Sequence, residues 1–326
     1  MSVDAAIRFD AVTRRYGAVT AIDALTFDVR AGEMFGLIGP DGAGKTTTIR
    51  LACGLLRPGS GAIRIFGRDP VAEHRAITAE VGYLSQRFSL YGDLTIDENI
   101  AFFAEIHGVR GYGAARDRLL EMTQLTRFRE RRADRLSGGM KQKLALACTL
   151  VHEPRLLLLD EPTTGVDPVS RREFWKLLSE FRSRGLTIVM ATPYLDEAER
   201  CARVALLHEG HLLAIDEPAV LQARLGGHML EVIVEARRPP IDVLTRAEGA
   251  IDVQSFGDSA HVRIRAADAQ AAITAVERVL RDSGLRAISI RPIAPSLEDV
   301  FIDLITRKHA SVDESIDEVG TPSSGR

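Results

Sequence analysis

The chain has few cysteines, and their positions argue against two kinds of site. Its 326 residues include only Cys53, Cys148 and Cys201, and no C-x-x-C pair is present. Zinc sites and disulfide-rich domains need several cysteines at short, regular intervals. We therefore expect neither, and interpret the three cysteines as reduced thiols in the core of a cytoplasmic protein.

Long apolar runs and a strong basic charge are missing as well. The longest apolar runs, residues 144–151 and 156–159, are much shorter than the ~18 residues that a membrane-spanning helix needs. The opening MSVDAAIRFD does not resemble a secretory signal. A formal charge of −3 argues against binding nucleic acid through a basic field. The sequence therefore predicts action from the water side of any membrane, without a nucleic-acid partner.

The pattern of apolar residues predicts an α/β protein with a second, smaller domain. Short buried strands alternate with helices up to about residue 225, and a helical subdomain interrupts them at about 87–152. Residues 228–307 follow a βαββαβ order, which predicts a ferredoxin-like domain. Residues 308–326 are polar and acidic, and we expect them to be disordered.

A phosphate-binding loop is the strongest local signal. The segment matches G-x-x-x-x-G-K-[ST] between a predicted strand and a predicted helix, as in P-loop NTPases. Glycines let the backbone N–H groups turn toward an anion, and the helix N-terminus adds its dipole. The motif consists of Gly39, Pro40, Asp41, Gly42, Ala43, Gly44, Lys45 and Thr46.

Two consecutive carboxylates follow the apolar run at 156–159. Asp160 ends this predicted buried strand, and Glu161 comes directly after it. Downstream of a phosphate loop, the first carboxylate is placed to lie beside magnesium and the second to polarise the attacking water. A role for the pair as a helix cap is the alternative.

The segment LSGGMKQK at 136–143 resembles the signature motif of ABC ATPases, with Met140 in place of the usual Gln. Together with the phosphate loop, the Gln86 segment and LLLLDEPTTGVDP, it identifies residues 1–225 as resembling an ABC ATPase. The C-terminal part, ending in SLEDVFIDL, resembles the ATPases of drug, antibiotic and polysaccharide exporters with ABC-2 permeases.

The resemblance implies an ATP–Mg²⁺ site with assigned roles. Tyr16 would stack on adenine, Lys45 would reach the β- and γ-phosphates, and Thr47 would contact the α-phosphate. Glu161 would polarise the water, with Lys45 and Gln86 assisting catalysis. Two further sets complete the site: the magnesium ligands would be Thr46, Gln86 and Asp160, and the signature residues facing the nucleotide of an opposing subunit would be Ser137, Gly138 and Gly139.

The resemblance also implies partners and a location. A second ATPase subunit, identical or different, would complete the site, and a separate membrane permease would carry the substrate. Apolar residues of the loop after Gln86 would form a cleft for a permease helix: Phe88, Leu90, Tyr91 and Leu94. The chain would then lie on the inner face of the plasma membrane and drive export, with import as the alternative. A soluble non-transport ABC ATPase and a mainly regulatory subunit are the other candidates.

Two residues depart from the family pattern. Pro193 occupies the place of a His that contacts the γ-phosphate, and proline offers no side-chain donor. Two explanations remain: a weakened subunit paired with a different, complete ATPase, which we prefer, or a homodimer that hydrolyses slowly with Glu161 alone. Asp41 replaces the usual Asn. It either stabilises the turn of the loop or places a negative charge near the phosphates.

Overall fold

The computed structural model describes residues 5–86 and 90–319, with side chains as far as residue 308. The chain forms two compact units, Met1–Pro218 and Ala219–Arg326. The observed boundary thus falls a few residues before the predicted one at about 225–228.

The first unit contains the following elements. Its strands are β1 (Ala5–Tyr16), β2 (Val19–Arg30), β3 (Met34–Ile38), β4 (Ser60–Ile65), β5 (Val81–Leu84), β6 (Leu156–Asp160), β7 (Thr187–Thr192), β8 (Arg203–His208) and β9 (His211–Asp216). Its helices are α1 (Lys45–Ala52), α2 (His74–Glu80), α3 (Ile96–Ile106), α4 (Gly113–Met122), α5 (Gly138–Leu150), α6 (Pro168–Ser183) and α7 (Leu195–Ala198), with 3₁₀ turns at Thr126–Phe128 and Ala133–Arg135. Helix α8 (Pro218–Ala223) lies at the boundary.

A six-stranded sheet forms the centre of the first unit, in the order β5-β6-β7-β3-β8-β9. Strands β5, β6, β7, β3 and β8 pair in parallel, and β9 pairs antiparallel with β8. Every residue of β3, β6 and β7 is buried, as expected for strands covered on both faces. The predicted parallel α/β core is confirmed.

A smaller antiparallel sheet, in the order β2-β1-β4, packs against this core. Phe9 of β1 stacks on Phe27 of β2 with ring centroids 4.7 Å apart, and Phe27 stacks on Phe35 of β3 at 5.6 Å. All three rings are buried, so a column of aromatic rings joins the two sheets. This contact holds the end of β2 beside the start of β3.

The predicted helical subdomain consists of α3, α4 and α5. Thr95 and Glu98 form a capping box at the start of α3. The buried Asn99 amide donates to the carbonyl oxygens of Tyr91 and Leu94 and accepts from the Tyr91 N–H, which shapes the loop before the helix. The Tyr91 ring packs edge-on against Phe102 and remains 45% exposed. Phe88, predicted to lie in the same apolar cleft, is outside the described residues.

The second unit has the predicted ferredoxin-like fold. It runs β10 (His228–Val234), α9 (Ile241–Leu244), β11 (Ala250–Phe256), β12 (Ser259–Ile264), α10 (Ala269–Asp282), β13 (Ala287–Ile293) and α11 (Leu297–Val319). The strands form one antiparallel sheet in the order β11-β12-β10-β13, and the buried side chains of α9 and α10 pack with it in one core.

Helix α11 is joined to β12 of the same unit by two polar side-chain contacts. Arg263 donates to Asp303 at 2.6 Å, and the His261 ring lies 2.9 Å from Asp299. The helix continues to Val319, whereas the sequence predicts a disordered tail from residue 308. No proline or glycine lies between residues 308 and 319, so no helix-breaking residue ends the helix there. Residues 320–326 are outside the described part.

Among the described residues, none of the helices combines the length and the apolar character that crossing a membrane requires.

A stacked, half-buried pair of histidines gives the first unit a pH-dependent contribution to stability. The rings of His107 and His152 stack with centroids 3.9 Å apart, and His152 Nε2 lies 3.3 Å from the Val81 carbonyl oxygen. Burial, together with the neighbouring His107 ring, lowers the pKa of His152 from 6.5 to about 4. The folded state therefore binds fewer protons than the unfolded state between these values, so stability is lost as the pH falls below about 6.5.

We predict that the melting temperature of the protein decreases by a few degrees between pH 7.5 and pH 5.5 through this pair. Replacing His152→Gln should reduce that decrease, because an amide does not take up a proton in this range. Melting curves at both pH values provide the measurement, with the exposed His74→Gln as the matched control. An equal decrease in the wild type and the His152 variant would contradict the assignment.

Candidate active site

The phosphate loop joins β3 to α1 and depends on glycines at close contacts. Gly42 and Gly44 have φ angles of 81° and 99°, a region that other residues seldom adopt. A Cβ atom on Gly44 would lie 2.5 Å from the Ala21 carbonyl oxygen, and one on Gly39 would lie 2.2 Å from that of Leu207. The loop therefore fits between β2 and β8 only with glycine at these positions.

Lys45 is buried and its ammonium group points into the loop. Its Nζ donates to the carbonyl oxygens of Gly39 at 2.7 Å and Pro40 at 3.0 Å, and lies 3.6 Å from Glu161 Oε1. An ammonium group has three donors, so one remains for a phosphate oxygen after the two loop bonds. This geometry agrees with the role predicted for Lys45.

Thr46 and Asp160, far apart in sequence, meet at the loop. The Thr46 hydroxyl donates to Asp160 Oδ1 at 2.9 Å. Burial raises the pKa of the Asp160 carboxyl above its ordinary value, and the hydrogen bond from Thr46 opposes that effect. A hydroxyl and a carboxylate oxygen are hard donors of the kind Mg²⁺ prefers, and a cation would stabilise the charged carboxylate. The pair therefore fits a magnesium ion.

Glu161 lies between the loop and Gln86. Gln86 Nε2 donates to Glu161 Oε2 at 3.0 Å, and the Thr164 hydroxyl lies 3.3 Å from the same oxygen. The Glu161 backbone has a φ of 49°, uncommon for a residue with a side chain, and its N–H donates to the Ala191 carbonyl oxygen at 2.9 Å. Its side chain is 10% exposed, so the carboxylate is held in place at the edge of the cleft.

A cleft of about 790 Å³ opens over these residues. Tyr16, at the end of β1, lines it with its ring 45% exposed and the Arg14 guanidinium 4.9 Å from the ring centroid. Asp41 also lines the cleft, at the second position of a turn in which the Ala43 N–H donates to the Pro40 carbonyl oxygen. Both explanations for Asp41, a role in the turn and a charge near the phosphates, therefore remain. The cleft brings together Tyr16, Asp41, Gly42, Ala43, Gly44, Lys45, Thr46, Thr47, Gln86 and Glu161.

Four residues that the sequence did not predict also line this cleft. They are Val19, Thr20 and Ala21 at the start of β2, and Glu209 in the turn between β8 and β9. Gly210 explains the position of that turn, since its N–H donates to the Ala43 carbonyl at 3.3 Å. No motif marks these residues, because only the pairing of β8 with β3 brings the turn to the phosphate loop.

Comparisons with known proteins agree with this geometry. A sequence profile of the family described as "ABC transporter" matches residues 22–164. The chain is 40% identical over 308 residues to the "Probable multidrug ABC transporter ATP-binding protein YbhF" of Escherichia coli, covering 93% of this chain and 52% of that protein. It is 35% identical over 304 residues to the "Daunorubicin resistance ATP-binding protein DrrA2" of Streptomyces coeruleorubidus, covering 92% and 94%. The chain belongs to the ABC transporter ATP-binding family.

A solved structure supports the same assignment for the fold. The dimeric structure of MJ0796, described as a bacterial ABC transporter cassette, is 26% identical and superposes with a TM-score of 0.59. It covers 65% of this chain and 98% of the other. The chain spans about half the length of the YbhF proteins of Escherichia coli and Shigella flexneri that it matches.

The signature segment of this ABC ATPase lies at the start of α5 and does not line the cleft. The Ser137 hydroxyl accepts from the Met140 N–H at 3.3 Å and caps the helix. A Cβ atom on Gly138 would have no neighbour within 4 Å, whereas one on Gly139 would lie 2.2 Å from the Ser170 hydroxyl oxygen. Gly139 is therefore required by packing against α6, and Gly138 leaves the helix end open.

Pro193 directly follows β7, at the same edge of the sheet as the phosphate loop. Strand β7 pairs in parallel with β3, and Thr192 lies opposite Ile38. The Thr192 hydroxyl accepts the Tyr194 N–H at 3.1 Å, which closes the turn around the proline. Pro193, predicted to take the place of a His, thus lies in a hydrogen-bonded turn beside the site.

We predict that Lys45→Ala weakens ATP–Mg²⁺ binding by roughly 10- to 100-fold, because a charged donor to the phosphates is lost. Isothermal titration calorimetry provides the measurement, and the exposed Lys176→Ala controls for the loss of one positive charge. Equal affinity in the Lys45 variant and the wild type would show that the loop does not hold the phosphates.

Proposed function

We propose that this ABC ATPase binds ATP with Mg²⁺ in the described cleft and hydrolyses it to drive export through a separate membrane permease. The observation that carries the proposal is the meeting of Lys45, Thr46, Asp160, Glu161 and Gln86 at one end of a parallel sheet. These groups offer a cation for phosphate, two hard oxygen ligands, a carboxylate and an amide that orients it.

The residues of the chain have distinct tasks in the proposed reaction. The phosphate loop and Lys45 bind the phosphates, and the exposed Tyr16 ring offers a surface for the base. Bound Mg²⁺, held by Thr46, Asp160 and Gln86, would neutralise charge on the phosphates. Glu161 accepts a hydrogen bond from Gln86, which aims its carboxylate, and takes a proton from the attacking water.

A second ATPase subunit would complete the site. Ser137, Gly138 and Gly139 lie outside the cleft of their own chain, and the open helix end at Gly138 suits a phosphate of an opposing subunit. The dimeric relative supports this arrangement. Because Pro193 offers no donor to the γ-phosphate, we infer that the partner is a different ATPase with a complete site.

Export through a permease is supported by the relatives and by one exposed surface. The alignments with relatives named for multidrug transport and daunorubicin resistance cover more than nine-tenths of this chain, and so extend over its ferredoxin-like unit. Tyr91 and Leu90 lie in the loop before α3, and Tyr91 is partly exposed, which suits a permease helix docking there. The protein would then be peripheral on the inner face of the plasma membrane.

We predict that Glu161→Gln retains ATP binding and lowers turnover by ~10²-fold or more, because an amide cannot accept the proton of the water. The ATP-bound dimer should accumulate and elute earlier on size-exclusion chromatography with ATP–Mg²⁺. Glu173→Gln, on α6, is the matched control for the loss of a carboxylate. Undiminished turnover in the Glu161 variant would remove Glu161 from the mechanism.

We predict that Pro193→His raises the slow turnover of the purified chain by up to ~10²-fold, since it restores a donor to the transferred phosphoryl group. The combination with Asp41→Asn should raise turnover further if the Asp41 carboxylate also opposes the phosphates. Steady-state ATPase rates and melting temperatures on the same samples distinguish a faster enzyme from an unstable one. Rapid hydrolysis by the wild-type chain alone would contradict the weakened-site interpretation.

A further inference from the structure

A buried carboxylate that the proposed mechanism does not use lies next to the active site. Glu197, in α7, is 1% exposed and accepts the Thr163 hydroxyl at 2.6 Å and the Thr192 hydroxyl at 2.7 Å. Trp175 Nε1 donates to it at 3.4 Å, and Arg171 Nε lies 3.9 Å away. We refer to Glu197, Thr163, Thr192 and Trp175 as the Glu197 cluster.

The two threonines flank the point where Glu161 is attached to the sheet. Thr163 is two residues after Glu161, and Thr192 directly follows Ala191, whose carbonyl oxygen accepts the Glu161 N–H. Glu197 therefore joins the segment that carries the catalytic carboxylate to the end of β7. One carboxylate can do this because each of its oxygens accepts one of the two hydroxyl groups.

The backbone at Glu161 needs such a support. Its φ of 49° is a conformation that a residue with a side chain keeps only when its surroundings enforce it. One bond to Ala191 fixes the N–H of Glu161, and the Glu197 cluster fixes the chain two residues later. Losing the second attachment frees Glu161 to move relative to Lys45 and the phosphates.

We propose that Glu197 is a positioning residue for ATP hydrolysis, which holds the Glu161 segment against the end of β7 through Thr163 and Thr192. The proposal rests on the proposed role of Glu161. It also accounts for the turn that contains Pro193, because Thr192 bonds both to Glu197 and to the Tyr194 N–H. The cluster lies behind the cleft and does not line it, so its loss should affect turnover and not ATP affinity.

The first test uses paired substitutions of Thr163. Valine removes the hydroxyl while keeping the branched shape, and serine keeps the hydroxyl while losing a methyl group. We expect Thr163→Val to lower the single-turnover rate of ATP hydrolysis by ~10- to 100-fold, with an unchanged ATP Kd, and Thr163→Ser to restore most of the rate. Protein in excess over ATP makes slow rates measurable.

The second test uses the only tryptophan of the chain as a direct probe of the cluster. Glu197→Gln removes one acceptor from the group to which Trp175 Nε1 donates, so the fluorescence emission of Trp175 should shift together with the loss of turnover. Asp196→Asn, an exposed neighbour on the same short helix, is the matched control and should change neither.

The outcomes separate this proposal from the proposed function. If Glu161→Gln abolishes single turnover while folded Thr163→Val and Glu197→Gln hydrolyse ATP at the wild-type rate, the positioning role is wrong and the proposed function stands. If the Glu197 and Thr163 variants lose ATP affinity and melting temperature in proportion, and serine does not rescue, the cluster only supports the fold. If Glu161→Gln retains turnover, both proposals fail.

Discussion

The parallel register of three buried strands is the constraint on which the site depends. Ile38 of β3 lies opposite Thr192 of β7, and Asp160 of β6 lies opposite Ala191. Because the carboxyl ends of parallel strands share one edge, the phosphate loop, the carboxylates and the Pro193 turn all emerge there. A shift of one residue in either pairing would separate Thr46 from Asp160 and turn the buried side chains to the opposite face.

Backbone strain at one residue of this edge and burial at another are balanced by nearby hydrogen bonds. Glu161 has a left-handed backbone conformation, and burial raises the pKa of Asp160. Each is held by groups from another strand or helix: the Ala191 carbonyl for the first and the Thr46 hydroxyl for the second. The buried Glu197 extends this support one layer behind the cleft. The catalytic geometry is therefore a property of the whole sheet end, since no single loop could hold these groups alone.

Much of this arrangement could be predicted from the sequence, because local rules apply to it. Uninterrupted apolar runs indicated β3 and β6, glycine spacing indicated the phosphate loop, and the βαββαβ order indicated the second unit. Glu209 and the start of β2 could not be predicted, since they reach the cleft only through pairing and close backbone contacts. Glu197 gave no signal either, because a Glu in an acidic helical segment looks like a solvated residue until the fold buries it.

The cleft and the helix that begins after Ser137 offer different groups to a nucleotide. Its cleft supplies the phosphate loop and the carboxylates, while Gly138, the open glycine after the capping Ser137, does not line that cleft. Packing explains Gly139 but not Gly138, so Gly138 is the position where a function beyond folding has to be sought. Under the proposed function, a chain built in this way has one half of a site on each of two surfaces. In that arrangement Pro193 changes only the half that contains the cleft, which is why we infer an unlike partner with a complete site.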